Sequence, residues 1–180
     1  MKRVVAIDPG HGGSDAGAVS EEKKEKHLNL KLGAEVFNQL LNLEYRPLLL
    51  RGGDYNVTLS ERINRAKMRG AECFLSIHHN GFADFGVRGC ESFYNPDSQR
   101  GKRLAEALHR EMLGYLPGPD RGVKRGKHLY ILRRAGMPAV LVEPLFITSP
   151  RDRKFADRPD YFFELGGCLV RGLHRFLRRN

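Results

Sequence analysis

The chain has 180 residues, 41% of them hydrophobic, and carries a formal charge of +10 from 31 Lys and Arg against 21 Asp and Glu. That length suits one sizeable core, so a single domain over residues 1–180 is expected, and no apolar stretch is long enough to cross a bilayer. Cys73, Cys90 and Cys168 are odd in number and lack Cys-x-x-Cys spacing, which argues for buried free thiols over a disulfide framework or a thiolate zinc site. The positive charge implies attraction to something polyanionic: nucleic acid, an anionic wall polymer or an acidic membrane surface.

A first strand is expected at Val4–Ile7, too short for the core of a secretory leader, and it runs into a glycine-rich loop. Leu28, Leu32, Val36 and Leu40 then recur along one helical face, with Glu25 in that helix's first turn. Leu48–Leu50 reads as a second strand. Thr58-x-x-Glu61 has the pattern of a capping box, in which the two side chains satisfy free backbone N–H groups reciprocally, and predicts a helix to about Met68 that carries Arg62. Cys73–Ile77 forms a third strand ending at His78-His79-Asn80-Gly81, and Gly89–Tyr94 another, followed by a helix over Gln99–Leu113. Gly122–Leu132 is a weaker extended region. Ala139–Val142 is a continuous apolar run, suited to a strand covered on both faces, and ends at Glu143-Pro144. Ser149-Pro150-x-Asp152 supplies an N-cap with proline at the first helical position, and Phe162, Leu165, Leu169, Leu173 and Phe176 draw the apolar stripe of a final, basic-ended helix. Strand-length runs alternating with helical segments predict an α/β fold.

In open α/β sheets functional groups gather at the carboxyl ends of strands, and His11, His78 and Glu143 each stand at such an end. Glu25 reaches the same mouth if the glycine-rich loop folds back. Two histidines and a carboxylate are the ligand set of many catalytic zinc sites, with a second carboxylate left as a base. Singly, each histidine is better explained as a hydrogen-bonded structural residue; the combination is what points to a metal. A phosphate loop is excluded by spacing, since Asp15 stands where a dinucleotide fingerprint needs glycine and there is no Gly-Lys-Ser/Thr.

Asp8-Pro9-Gly10-His11-Gly12-Gly13 with Asp15-x-Gly17, then Glu25-Lys26-x-Leu28-Asn29-Leu30, Ser76-Ile77-His78-x-Asn80 and Leu141-Val142-Glu143 occur in the order and spacing of a known family. The chain resembles the zinc-dependent N-acetylmuramoyl-L-alanine amidases, which include bacterial wall-remodelling enzymes and catalytic domains of phage endolysins. Leu59-x-x-Arg62 and Arg121-Gly122-Val123 are weaker matches between those blocks. The resemblance implies a single α/β domain with a twisted, mostly parallel sheet flanked by helices. It also implies one Zn²⁺ per chain held by His11, Glu25 and His78, Glu143 as the catalytic carboxylate, and peptidoglycan as substrate. Asn80, Arg62 and His79 are expected as substrate contacts, with packing the alternative for His79.

His79 stands where the family has a small residue; neighbouring strand residues face opposite ways, and the family register selects His78 as the ligand. His27 replaces a commonly acidic residue and is assigned to the surface or to a supporting position. Pro144 restricts the loop after Glu143. His109, His128 and His174 fall in segments where packing or solvation suffices. The stretch from Gly81 to Leu141 has no room for the inhibitory insertion of some relatives, so no activator protein is expected. Synthesis in the cytoplasm without a leader, followed by release to the wall in a holin-dependent or other lysis route, is expected. The charge and the basic end of the last helix are expected to add non-specific attraction to anionic envelope polymers, with an ordinary solvated basic face the equal alternative. Another zinc amidohydrolase or peptidase shares the same metal chemistry. A non-enzymatic basic module binding nucleic acid or wall polymer is disfavoured, because structural zinc sites are usually closed by four ligands and no aromatic RNA-binding signature is present.

Overall fold

The computed structural model describes residues 2–21 and 23–178. In chain order the elements are β1 (Arg3–Pro9), a short antiparallel pair β2 (Val19–Ser20) and β3 (Lys23–Lys24), α1 (Glu25–Leu41), β4 (Tyr45–Leu49), α2 (Leu59–Met68) and β5 (Cys73–Ile77). They continue with β6 (Cys90–Tyr94), α3 (Gln99–Leu113), β7 (Asp120–Arg125), α4 (Tyr130–Arg134), β8 (Ala139–Glu143), α5 (Pro150–Ala156) and α6 (Tyr161–Arg178). Six strands form one sheet in the order β4-β1-β5-β8-β6-β7. Every neighbouring pair is parallel except β8 with β6, which is antiparallel. The fold is the expected α/β arrangement with a mostly parallel sheet.

Alternation of side chains along the strands sorts the core into two layers. Val5 and Ile7 of β1, Leu75 and Ile77 of β5 and Val140 and Val142 of β8 pack under α1, α3 and α6. Ala6, Phe74, Ala139 and Leu141 face the other way, against Ile63 and Ala66 of α2 and Ile131 and Leu132 of α4. Both faces are therefore covered, which is why the central strands read as unbroken apolar runs. The Thr58–Glu61 capping box forms as its pattern predicts, with both reciprocal bonds present.

Three expectations need correction. The extended reading of Gly122–Leu132 holds only to Arg125; Gly126 then turns the chain, its N–H bonding Tyr94 O, and Tyr130–Arg134 winds into α4 so that Ile131 and Leu132 reach the core. Ser149 makes no side-chain cap, leaving Pro150 as the helix-starting signal. The helix it opens is α5 alone, because Pro159 interrupts the chain before the apolar stripe resumes on α6.

α6 crosses α3 at Gly172, where an added Cβ would come within 2.8 Å of the Leu108 Cα, whereas at Gly167 it would meet only the ends of the Arg171 and Gln39 side chains. Gly172→Ala should therefore destabilise by roughly 1–3 kcal/mol through overpacking. Gly167→Ala should be neutral or stabilise by up to about 1 kcal/mol through helix propensity. Urea unfolding of the two variants measures both signs.

Candidate active site

β1 leaves the sheet at Pro9, and the next residues are held by two buried arginines. Arg51 donates to Pro9 O at 3.1 Å and Gly10 O at 3.0 Å. Arg62 donates to Pro9 O and His11 O, both at 2.7 Å, and pairs with the Asp8 carboxylate at 2.6 Å, which also accepts from Ser76 Oγ. This clamp holds His11 in the left-handed region at φ 61°, a conformation that costs a non-glycine residue energy and needs such support. Glycine is required at two contacts here. A Cβ on Gly10 would lie 2.2 Å from the His78 ring, and one on Gly17 would lie 2.5 Å from the Glu25 carboxylate.

Glu25 opens α1, and Ala18 N donates to its Oε2 at 2.9 Å, so the loop does fold back. Its Oε1 lies 3.1 Å from His11 Nε2 and 2.9 Å from His78 Nδ1, and accepts from Asn29 Nδ2 and His79 N, each at 3.2 Å. Ligating atoms of His11, Glu25 and His78 all lie within 4.8 Å of one another. Burial opposes the Glu25 charge, yet the hydrogen bonds and charges of both imidazoles win and hold its proton affinity far below the usual carboxylate range. Burial likewise works against protonation of His11, but Glu25 and Asp15 raise it overall. Two imidazole nitrogens and one carboxylate oxygen converging on a point suit a divalent ion of zinc's type. His11 Nδ1 is 2.8 Å from Asp15 Oδ2, the outer carboxylate that commonly orients a metal-bound histidine.

A second centre lies at the end of β8. Asn80 Nδ2 donates to both Glu143 Oε2 and Glu91 Oε1, the latter at 2.8 Å. Backbone bonds from Asn80 N to Leu145 O and from Ile147 N to Asn80 O tie the ends of β5 and β8 together beneath it. Glu91 and Glu143 are register partners across the antiparallel pair. Burial first, then the hydrogen bond and charge of Glu91 and the charge of Glu25, push Glu143 up to about 9. Glu91 is shifted the other way: burial opposes ionisation, but Lys124 Nζ at 2.5 Å and Arg121 Nε at 2.8 Å hold its proton affinity down.

His11, Glu25 and His78 thus come together, with Glu143 on the same edge of the sheet. The substrate-contact role expected of Arg62 and His79 needs correction: they are 3% and 0% exposed, Arg62 spending its donors on Asp8 and backbone carbonyls. His79 packs, bridging Asn29 Oδ1 at 2.8 Å and the Tyr161 hydroxyl at 2.9 Å, so only His78 faces the site. Asn80 is committed to the carboxyl pair, its Oδ1 accepting from Gly81 N, and is therefore a supporting group. His27 is half-exposed beside Asp54. His109 joins Ser92 Oγ and Asp120 in a line that resembles a nucleophilic triad, but Ser92 is fully enclosed and the line braces α3 against β6 and β7. Sequence reading missed Glu91; its signal was a charged residue inside an otherwise strand-forming run, Cys90-Glu91-Ser92-Phe93-Tyr94.

Asp15→Asn should weaken binding of a divalent metal ion at the His11–Glu25–His78 cluster by about 10- to 100-fold, measured by competition with a chromophoric chelator, because His11 loses a charged partner on its outer nitrogen. In metal-free protein Glu143 binds its proton more tightly folded than unfolded, so its contribution is complete below about 4.5 and is lost as pH rises toward about 9. Glu143→Gln should accordingly flatten the fall in thermal stability between those limits and exceed wild type at pH ~8 by more than about 1 kcal/mol.

The family described as N-acetylmuramoyl-L-alanine amidase matches residues 5–175. The LytC amidase of Bacillus subtilis is 38% identical over 150 residues, which are 82% of this chain and 30% of LytC. The sporulation-specific amidase of the same species is 38% identical over 175 residues, 95% of this chain and 67% of its own length. Among solved structures, AmiC2 of Nostoc punctiforme superposes with a TM-score of 0.93 at 31% identity, covering 99% of both chains. The catalytic domain of CwlV from Bacillus (Paenibacillus) polymyxa var. colistinus gives 0.93 at 28%, again over 99% of both. A match that runs through β1, the His11 loop, both carboxylate centres and most of α6 places this chain in the N-acetylmuramoyl-L-alanine amidase family.

Proposed function

We propose that this chain hydrolyses the amide between N-acetylmuramic acid and L-alanine in peptidoglycan, using one zinc ion per chain. The observation that carries this reading is the pairing of a three-ligand His–Glu–His site with a separate carboxyl, Glu143, whose surroundings favour its protonated form. Held by His11, Glu25 and His78, the ion would act as a Lewis acid toward the scissile carbonyl, acidify a water and lower the proton affinity of carboxyls nearby. Glu143 takes a proton from the attacking water on its carboxylate and returns it to the departing alanine nitrogen, which leaves as an amine instead of an unstable amide anion. Asn80 fixes the Glu143 side chain for both transfers. His11 keeps its orientation through Asp15, on the ring nitrogen turned away from Glu25. A cleft of about 380 Å³ bounded by Val57, Leu59 and Ile131 opens beside the His11 and His78 imidazoles.

The net charge of +10 supports non-specific attraction to anionic envelope polymers, although Arg171 and Arg175 of α6 already share Glu111. Among the described residues no helix is long and apolar enough to cross a membrane. Independence from an activator protein is proposed because β6, α3, β7 and α4 occupy the chain between His78 and Glu143.

Purified peptidoglycan treated with the zinc-loaded protein alone should yield intact glycan strands and peptides with new L-alanine amino termini by mass spectrometry, and a chelator should abolish them. Glu143→Gln should keep its zinc and lose turnover by about 10²- to 10⁴-fold. Cleavage at another amide would assign a different zinc amidohydrolase, and a requirement for an added protein would refute activator independence.

A further inference from the structure

Glu91 lies 5% exposed at the start of β6, directly across the sheet from Glu143. Like charges opposite each other in neighbouring strands destabilise a sheet, so two carboxyls in that register need a reason and a remedy. The remedy is asymmetric. Asn80 donates to both carboxyls, while Arg121 Nε and Lys124 Nζ both reach Glu91 Oε2 from β7 and neutralise that side of the pair. Glu25, on α1, adds a further negative charge felt by Glu143. The cations thus stabilise the charge of Glu91, and the neighbouring anions disfavour the charge of Glu143.

We propose that Glu91 is a positioning residue for the hydrolysis: held beside Glu143 by its register across the sheet and by Asn80, and anchored by Arg121 and Lys124, its charge keeps on Glu143 the proton taken from water until the departing nitrogen receives it. This rests on the amidase reading above. In the reaction, water loses a proton to Glu143 as its oxygen bonds the carbonyl carbon; the C–N bond then breaks and the nitrogen takes that proton, returning Glu143 to its starting state. Glu91 contacts none of the reacting atoms and ends unchanged. Its anionic charge makes Glu143 a stronger base than an isolated carboxylate, because a like charge alongside favours the protonated form.

The test uses full-length protein and two variants with opposite signs. In zinc-loaded enzyme acting on purified peptidoglycan, Glu91→Gln should move the acid limb of the kcat/KM profile down by at least ~1 pH unit and lower kcat. Lys124→Met, which removes a cation from the pair, should move it up. A uniform fall in kcat/KM with unmoved limbs would overturn the proposal, since that is what a purely structural role gives. If wild type fails to cleave peptidoglycan, the amidase reading falls, and the pair is tested separately by ¹³C-carboxyl NMR titration of metal-free protein. There the Glu143 midpoint should drop in Glu91→Gln and rise in Lys124→Met. Should Glu91→Gln not fold, the Lys124→Met titration decides: an upward shift supports the charge coupling of Glu91 to Glu143, and none overturns it.

Discussion

A carboxylate at 5% exposure is costly unless its charge is met, and Glu25 is met by five groups. The Ala18 amide reaches it from the glycine-rich loop, Asn29 from the next turn of α1, His79 N from the end of β5, and the imidazoles of His11 and His78 from either side. Each donor lies on a segment whose path must be right for the bond to form. The loop closes only because glycine stands at 17, and His78 fits only because glycine stands at 10. Arg51 and Arg62, both buried, hold the first turn of that loop by its carbonyls, so the cost of burying two guanidiniums is offset by backbone groups that would otherwise lack partners.

One edge of the sheet therefore carries two carboxyl environments of opposite character. Around Glu25 the neighbours are imidazoles and N–H donors, which favour the anion; around Glu143, burial and the carboxylates of Glu91 and Glu25 outweigh the Lys124 cation and favour the acid. Pairs of titratable groups driven apart in this way divide the labour of acid–base chemistry, one remaining a fixed charge and the other free to exchange a proton.

Much of this was legible in the chain. Apolar runs covered on both faces gave β5 and β8, and the Thr58–Glu61 box gave the start of α2. His11, His78 and Glu143 were found because β1, β5 and β8 run parallel, so that the ends of apolar runs mark one edge. Glu91 escaped the same reasoning for a physical cause: β6 runs the other way, and its beginning, not its end, lies at that edge. Strand direction is decided by pairing with β8 and leaves no local trace in Cys90–Tyr94. Arg62 was expected among the substrate contacts from a weak family match on a helix whose partners the sequence does not name. Only the fold shows that Asp8 and the carbonyls of Pro9 and His11 await it in the interior.

The reversal of β6 has an effect on the segment that precedes it. Residues 81–89 leave β5 at the catalytic edge and enter β6 at the same edge, so both ends of the loop are anchored side by side. Phe82 N is bonded to Thr148 Oγ1 at one end and Gly89 N to Asp152 at the other, while Phe82 and Phe85 are 57% and 62% exposed between them. A loop closed on itself in this manner can change length or composition at little entropic cost and without passing through the core. It is a natural cassette, in which the reach of the protein around its substrate can be rewritten while the carboxylates and imidazoles beneath stay in place.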